Sequence, residues 1–210
     1  MAGAAHPLDL AVIGNGTVGR LVDRRGRYVW GCLPHLAADP SFCELLQPTT
    51  EGHGVCSVDL EGFVSSEQHY LPNTAVLVTT LYAEDGSSVE ITDFSPRFRR
   101  WDRLYHPVMF VRRIRPMAGV PRVTLRVRPL ADWGARIPDR TSGSHHIRWV
   151  LKDTTLRLTT DTRVPFVERE LPLVLDRPVN MILGPDESLT TSAEAFVLEA
   201  YDRTVDYWQS

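Results

Sequence analysis

Two antiparallel sheets packed face to face, an all-β sandwich or supersandwich with one short helix and a C-terminal helix, is the fold this sequence predicts. Three observations carry it. Apolar residues alternate with polar ones in short runs, as in Val123-Thr124-Leu125-Arg126-Val127 and Leu156-Arg157-Leu158-Thr159. The runs return at roughly ten-residue spacing with turn residues between them, which favours a sandwich over βαβ units. The 15 prolines sit largely at run ends and connections, where a missing N–H does least harm.

In chain order, residues 8–13 form the first apolar run. Residues 17–23 and 28–33 flank Asp23-Arg24-Arg25-Gly26, a hairpin turn. Strands are expected over 63–71, 74–83 and 87–93, with Glu84-Asp85-Gly86 turning the last two. Further strands are expected over 108–114, 123–130, 145–151, 155–159, 164–168 and 179–183. The short helix is expected over 39–46, capped by Asp39 or Ser41. The long helix is expected over 191–208, capped by Ser192, with Ala195, Phe196, Ala200, Val205 and Trp208 near helical spacing. A lone amphipathic helix after a β domain has little to bury its apolar face against. The division expected is therefore a sandwich over 1–188 and a linker helix over 189–210.

Net charge is −3, which gives the whole chain no bias toward polyanions. Lys152 is the only lysine; the arginine skew reads as codon bias. Cys32, Cys43 and Cys56 form neither a C-x-x-C pair nor a disulfide framework and are expected as free thiols. The opening residues lack a basic region followed by a long apolar one, and no apolar run is long enough to cross a bilayer. A cytoplasmic protein without a membrane partner is the expectation.

Gly14-Asn15-Gly16-Thr17-Val18-Gly19 satisfies the dinucleotide-binding pattern, but that chemistry needs a helix opening inside the motif. Gly26 and Tyr28-Val29-Trp30 argue against one, so the motif reads as a turn between strands and no cofactor is expected. Asn15-Gly16-Thr17 is a glycosylation sequon, which has no meaning without secretion. His145-His146 point to opposite faces of a strand and cannot readily chelate one ion, so no metal is expected. No serine or cysteine stands in a nucleophile context. Glu67, Asp93, Asp102 and Asp132 are carboxylates whose separations the sequence does not show. The densest basic and aromatic stretch is Arg97-Phe98-Arg99-Arg100-Trp101-Asp102-Arg103-Leu104-Tyr105. Such a stretch stacks bases, stacks sugar rings or covers a neighbouring domain; the acidic balance argues against nucleic acid.

Seven segments, in order, resemble one family. They are Leu10-Ala11-Val12-Ile13-Gly14-Asn15-Gly16 with Arg20-Leu21-Val22-Asp23-Arg24-Arg25-Gly26 and Val29-Trp30-Gly31-Cys32-Leu33-Pro34; Asp39-Pro40-Ser41-Phe42-Cys43-Glu44-Leu45-Leu46; His69-Tyr70-Leu71-Pro72-Asn73-Thr74-Ala75-Val76-Leu77; Val89-Glu90-Ile91-Thr92-Asp93-Phe94-Ser95-Pro96; Arg112-Arg113-Ile114; Arg128-Pro129-Leu130-Ala131-Asp132-Trp133-Gly134; and the helix ending in Tyr207-Trp208. Together they resemble the trehalase-like N-terminal domain of bacterial glycoside hydrolase family 15 enzymes, which include glucoamylases, glucodextranases and trehalases. The resemblance implies a β-supersandwich followed by an (α/α)6 barrel that hydrolyses α-glucosidic bonds with inversion. Both catalytic glutamates belong to the barrel, so no catalytic residue is carried onto this chain. The family's P-R-F-D segment is Pro34-His35-Leu36-Ala37 here, which leaves the parent's activity and specificity open.

Three functional readings follow. The first is a scaffolding domain that packs on the barrel of the same polypeptide, with the loops 33–40 and 94–106 bordering the substrate cleft; His35, Asp39, Trp101 and Trp133 are its candidate residues. The second is a stand-alone module binding α-glucan or trehalose, with Trp101 and Trp133 as stacking platforms. The third is an arginine-rich nucleic-acid binder. A homo-oligomer is compatible with all three.

Overall fold

The computed structural model of the protein describes residues 8–46 and 52–210. The opening seven residues, read above for a leader, lie outside the described residues. The elements run β1 (Ala11–Gly14), β2 (Gly19–Val22), β3 (Tyr28–Cys32), β4 (Pro40–Phe42), β5 (Val55–Leu60), β6 (Phe63–Tyr70), β7 (Leu77–Ala83), β8 (Ser88–Phe94), β9 (Phe98–Arg100), β10 (Arg103–Tyr105), β11 (Phe110–Ala118), β12 (Arg122–Arg128), β13 (Arg140–Ser142), β14 (His146–Val150), β15 (Thr155–Thr160), α1 (Val164–Glu168), β16 (Leu173–Val174), β17 (Val179–Pro185) and α2 (Ala193–Gln209). Among the described residues, one sheet has the order β1-β2-β3-β5-β12-β16, with β4 also on β3. The other has the order β13-β14-β15-β17-β11-β8-β7-β6. Every strand pair is antiparallel, and β9 and β10 make a separate hairpin.

Period-two alternation puts one row of each strand between the sheets. Val123, Leu125 and Val127 of β12 and Leu156 and Leu158 of β15 are buried there, while their neighbours are partly exposed. Tyr28, Phe42 and Cys56 from the first sheet meet Leu77, Ile91, Phe110 and Ile114 from the second in one continuous core. Burying such side chains contributes roughly 1.5–3 kcal/mol each before chain entropy is counted.

Three local expectations are corrected. Residues 39–46 form no helix: Pro40–Phe42 is β4, paired to β3. Asp39 does not cap its own segment, because its carboxylate is taken by a distant loop, and Phe42 is fully buried in the core. Residues 164–168 form α1 rather than a strand. Proline stands in its first turn, where no N–H is needed, and Val164 and Val167 bury one face three residues apart. Residues 55–60, not anticipated, form β5, whose Cys56, Val58 and Leu60 line the core.

The long helix also differs from expectation in its packing. Ser192 caps α2 by accepting from the Ala195 N–H at 3.2 Å. Val197, Ala200 and Thr204 are buried on the outer face of the second sheet, where Val76, Phe94, Phe98, Val111 and Ile182 form a second core. The Phe94 and Tyr201 rings meet edge-on at 5.8 Å. The sheet's outer face therefore covers the helix's apolar side. No helix among the described residues is long and apolar enough to cross a membrane.

Candidate functional site

The glycine-rich motif is a hairpin. β1 and β2 pair from Ala11–Val22 to Gly14–Gly19, and no helix opens within the motif. Gly16 turns at φ 88°, and a Cβ on Gly14 would stand 2.5 Å from the Val18 carbonyl oxygen. Asn15 ties this turn to the segment after β8. Its Nδ2 donates to the carbonyls of Pro96 at 3.0 Å and Pro107 at 2.7 Å, and its Oδ1 accepts from the Thr17 N–H at 3.0 Å. Arg97 donates to the Asn15 carbonyl, and Thr17 bonds to His106.

The same segment is tied to α2. The Arg97 N–H donates to Thr204 Oγ1 at 3.2 Å, and its guanidinium lies 5.2 Å and 5.6 Å from the ring centres of Tyr207 and Trp208. Arg203 donates to the Arg99 carbonyl and stacks over Phe98 at 4.2 Å. Leu36, in the loop after β3, approaches Gly19 from the other side. The β1–β2 turn, the loop 33–39, the segment 95–109 and the end of α2 thus form one end of the sandwich. Leu36, Trp101, Leu104 and Trp208 expose 61%, 84%, 39% and 36% of their surface there and nearby. A pocket of about 450 Å³ opens beside the β9–β10 hairpin, bounded by Phe98, Arg100, Tyr105, Arg157, Phe196 and Arg203.

Asp39 and Trp133, predicted separately, meet. The Asp39 carboxylate accepts the N–H groups of Asp132 at 2.5 Å and Trp133 at 2.7 Å. Both donors are left-handed, φ 56° and 57°, a conformation that costs about 1 kcal/mol or more per non-glycine residue and needs support. The carboxylate supplies that support, and the Trp133 side chain stands 61% exposed. Replacing Asp39 by alanine should cost about 1–3 kcal/mol of stability and accelerate amide exchange at Asp132 and Trp133, read by hydrogen-exchange mass spectrometry. His35 lies exposed in the same loop as Asp39. Trp101 is on a separate element, at the tip of the β9–β10 hairpin, with φ 49° and the Arg100 guanidinium 4.5 Å from its ring centre.

Three of the four carboxylates, Asp93, Glu67 and Asp132, are held by internal bonds. Asp93 is fully buried between the sheets. Its Oδ1 accepts from Arg112 Nε at 2.8 Å and from the Tyr28 hydroxyl at 2.6 Å, and its Oδ2 accepts from Arg112 Nη2 at 2.9 Å. Arg112 also donates to the Gly26 carbonyl at 2.5 Å. Burial disfavours the charged Arg112, but Asp93 outweighs it and holds the proton more tightly than usual. Burial, with Asp93 adding to it, pushes the Tyr28 hydroxyl well above its ordinary range. Glu67 accepts from the Tyr82 hydroxyl at 3.1 Å, and Asp132 pairs with Arg136 at 2.8 Å. Asp102 occupies the hairpin tip beside Trp101 at φ 57°. Arg128 clasps Glu170 through Nε at 2.5 Å and Nη2 at 2.6 Å.

Sequence reasoning missed Arg20. It is fully buried, and its Nε, Nη1 and Nη2 have no hydrogen-bond partner among the described residues. The Phe110, Phe42 and Tyr28 ring centres stand 4.2, 4.5 and 5.3 Å from its guanidinium carbon. Burial pushes its pKa down to about 10. Its stem crosses Gly31, where a Cβ would stand 2.8 Å from Arg20 Cγ. The available signal was an arginine in the inward phase of β2, two residues before buried Val22.

The three thiols are buried and free; burial pushes Cys43 up to about 11. Among the described residues no group of three or more His, Cys, Asp or Glu side chains is disposed to hold a metal ion. No protein-family model, no curated protein and no solved structure matches this chain.

Proposed function

We propose that this chain is the β domain of a family 15-type α-glucoside hydrolase, a domain that packs on an (α/α)6 catalytic barrel, borders its substrate cleft and breaks no bond itself. One observation carries the reading: the polar residues of the resembling segments are spent on internal bonds, while the loops tied together at one end leave four large apolar side chains exposed. Asn15, Asp39, Asp93, Arg112 and Arg128 each bind another part of this chain. Leu36, Trp101, Leu104 and Trp208 are exposed around the linked loops, as a surface that covers another body requires. The loops 33–40 and 94–106 belong to that end, which supports their role at a cleft.

Purified chain incubated with maltose, isomaltose and trehalose should release no glucose. The parent reading frame should continue beyond Ser210 into several hundred mainly helical residues. Glucose release by these 210 residues, or a stop codon after Ser210, would overturn the reading. A second reading, a sugar-binding module, is favoured by the 84% exposure of Trp101. Calorimetric titration separates the two: heat at millimolar maltose that disappears in Trp101→Ala supports the module, and no heat supports the scaffold.

A further inference from the structure

β6 presents an open hydrogen-bonding edge. It ends the eight-stranded sheet, pairing with β7 on one side and, among the described residues, with no strand on the other. The remaining sheet ends are shorter: β13 has three residues, β1 four and β16 two, against eight in β6. The Leu71 N–H donates to the Val76 carbonyl at 2.9 Å, which sets the phase of the ladder. Bonded pairs alternate in an antiparallel ladder, so Leu71, His69 and Glu67 turn their main-chain groups to β7. Tyr70, Gln68 and Ser66 turn theirs outward.

The edge is held in place from within. Ser66 Oγ donates to the Arg24 carbonyl at 2.7 Å, and Gln68 Nε2 donates to the Asp23 carbonyl at 2.8 Å. The Tyr70 hydroxyl donates to the Val12 carbonyl at 2.8 Å and accepts the Val12 N–H at 2.7 Å. Proteins commonly guard a long edge with lysine or proline. The strand reads Phe-Val-Ser-Ser-Glu-Gln-His-Tyr, with no lysine or proline, one charge at Glu67, and its bulge confined to the Phe63–Ser65 end, before the three outward-facing residues.

We propose that β6 pairs with β6 of a second copy of this chain, antiparallel, about a two-fold axis through Gln68. In that register Gln68 faces Gln68, and Ser66 faces Tyr70 of the other copy, so all the outward groups of these three residues are exchanged. On the solvent side Glu67 faces His69 of the other copy, twice, a carboxylate acceptor opposite an imidazole donor. An axis through Glu67 would set two carboxylates against each other. An axis through Ser66 would leave Tyr70 without a strand partner and recruit Val64, at the bulge between Phe63 and Ser65. Of these three registers the one through Gln68 satisfies both the ladder and the charges, and it joins the two eight-stranded sheets into one.

Sedimentation velocity of the chain over a concentration series tests this. The expected result is a concentration-dependent monomer–dimer equilibrium. Gln68→Pro removes an outward N–H without touching a bond to β7 and should abolish the dimer. Glu67→Lys, on the exposed side, should weaken association roughly tenfold. Adding His69→Glu to that variant restores opposite charges across the edge and should recover association, an outcome that general destabilisation would not produce. A monomer at every concentration, a dimer indifferent to both single variants, or no recovery in the charge swap would each overturn the proposal.

Discussion

Replacing Asp93 by alanine is expected to lower the thermal midpoint by about 6–20 °C, the largest loss foreseen for any single change in this protein. Among the described residues Asp93 is the only counter-charge bonded to the fully buried Arg112, and the two residues face each other directly across β8 and β11. Removing it leaves a guanidinium between two apolar sheets and a Tyr28 hydroxyl with no acceptor. Breaking a buried pair from one side costs about 3–5 kcal/mol, and each kcal/mol moves the midpoint of a domain this size by about 2–4 °C. Asp93→Leu combined with Arg112→Leu should be far milder than either change alone, because no buried charge then remains. Calorimetry on the four members of that cycle is the measurement. A double variant that loses as much as the two single variants added together would show that the pair is not coupled.

Replacing Arg20 by methionine is expected to raise the midpoint by about 3–10 °C. The fully buried wild-type guanidinium finds no acceptor among the described residues for any of its nitrogens. Each buried donor without a partner costs about 1–3 kcal/mol. The three ring contacts, in a desolvated site, offset part of this at about 2 kcal/mol each, but they accept none of the five N–H groups and leave the buried charge without a counter-ion. Desolvation therefore wins. Methionine keeps an unbranched stem that passes over Gly31 and carries no donor. A lower midpoint in Arg20→Met, measured by calorimetry, would mean that the aromatic cage outweighs the unpaired donors.

Much of the fold was legible in the sequence because its signal is local. Alternation in residues 123–127 and 155–159 named the inward face of β12 and β15 without reference to any partner. The Asp23–Gly26 and Glu84–Gly86 turns set the β2–β3 and β7–β8 hairpins. The glycines after β1 read as a turn because Gly26 and the aromatic run behind it forbid a helix, and the structure has a hairpin there. Short segments were less readable. Residues 39–46 and 164–168 each carry too few residues for periodicity to separate strand from helix, and their partners decided the outcome. Pro40–Phe42 gains a ladder with β3 and a buried Phe42, whereas Val164–Glu168 buries two valines on one side of a turn.

The candidate site divides in the same way. Asp39 and Trp133 could be named from their motifs, but their meeting depends on a closure across 94 residues. Trp101 could be named from its arginine-rich surroundings, and only the hairpin set it apart from the other three candidates. By itself the sequence determined an antiparallel, two-sided β body and the turns that connect it, because strand alternation and turn chemistry are properties of neighbours along the chain. The tertiary structure alone decided that Asp93 answers Arg112 while Arg20 goes unanswered, that α2 lies on the outer sheet face, and that β6 is left as an open edge. Those outcomes depend on which strands stand side by side and which faces meet, and no short window of residues contains that information.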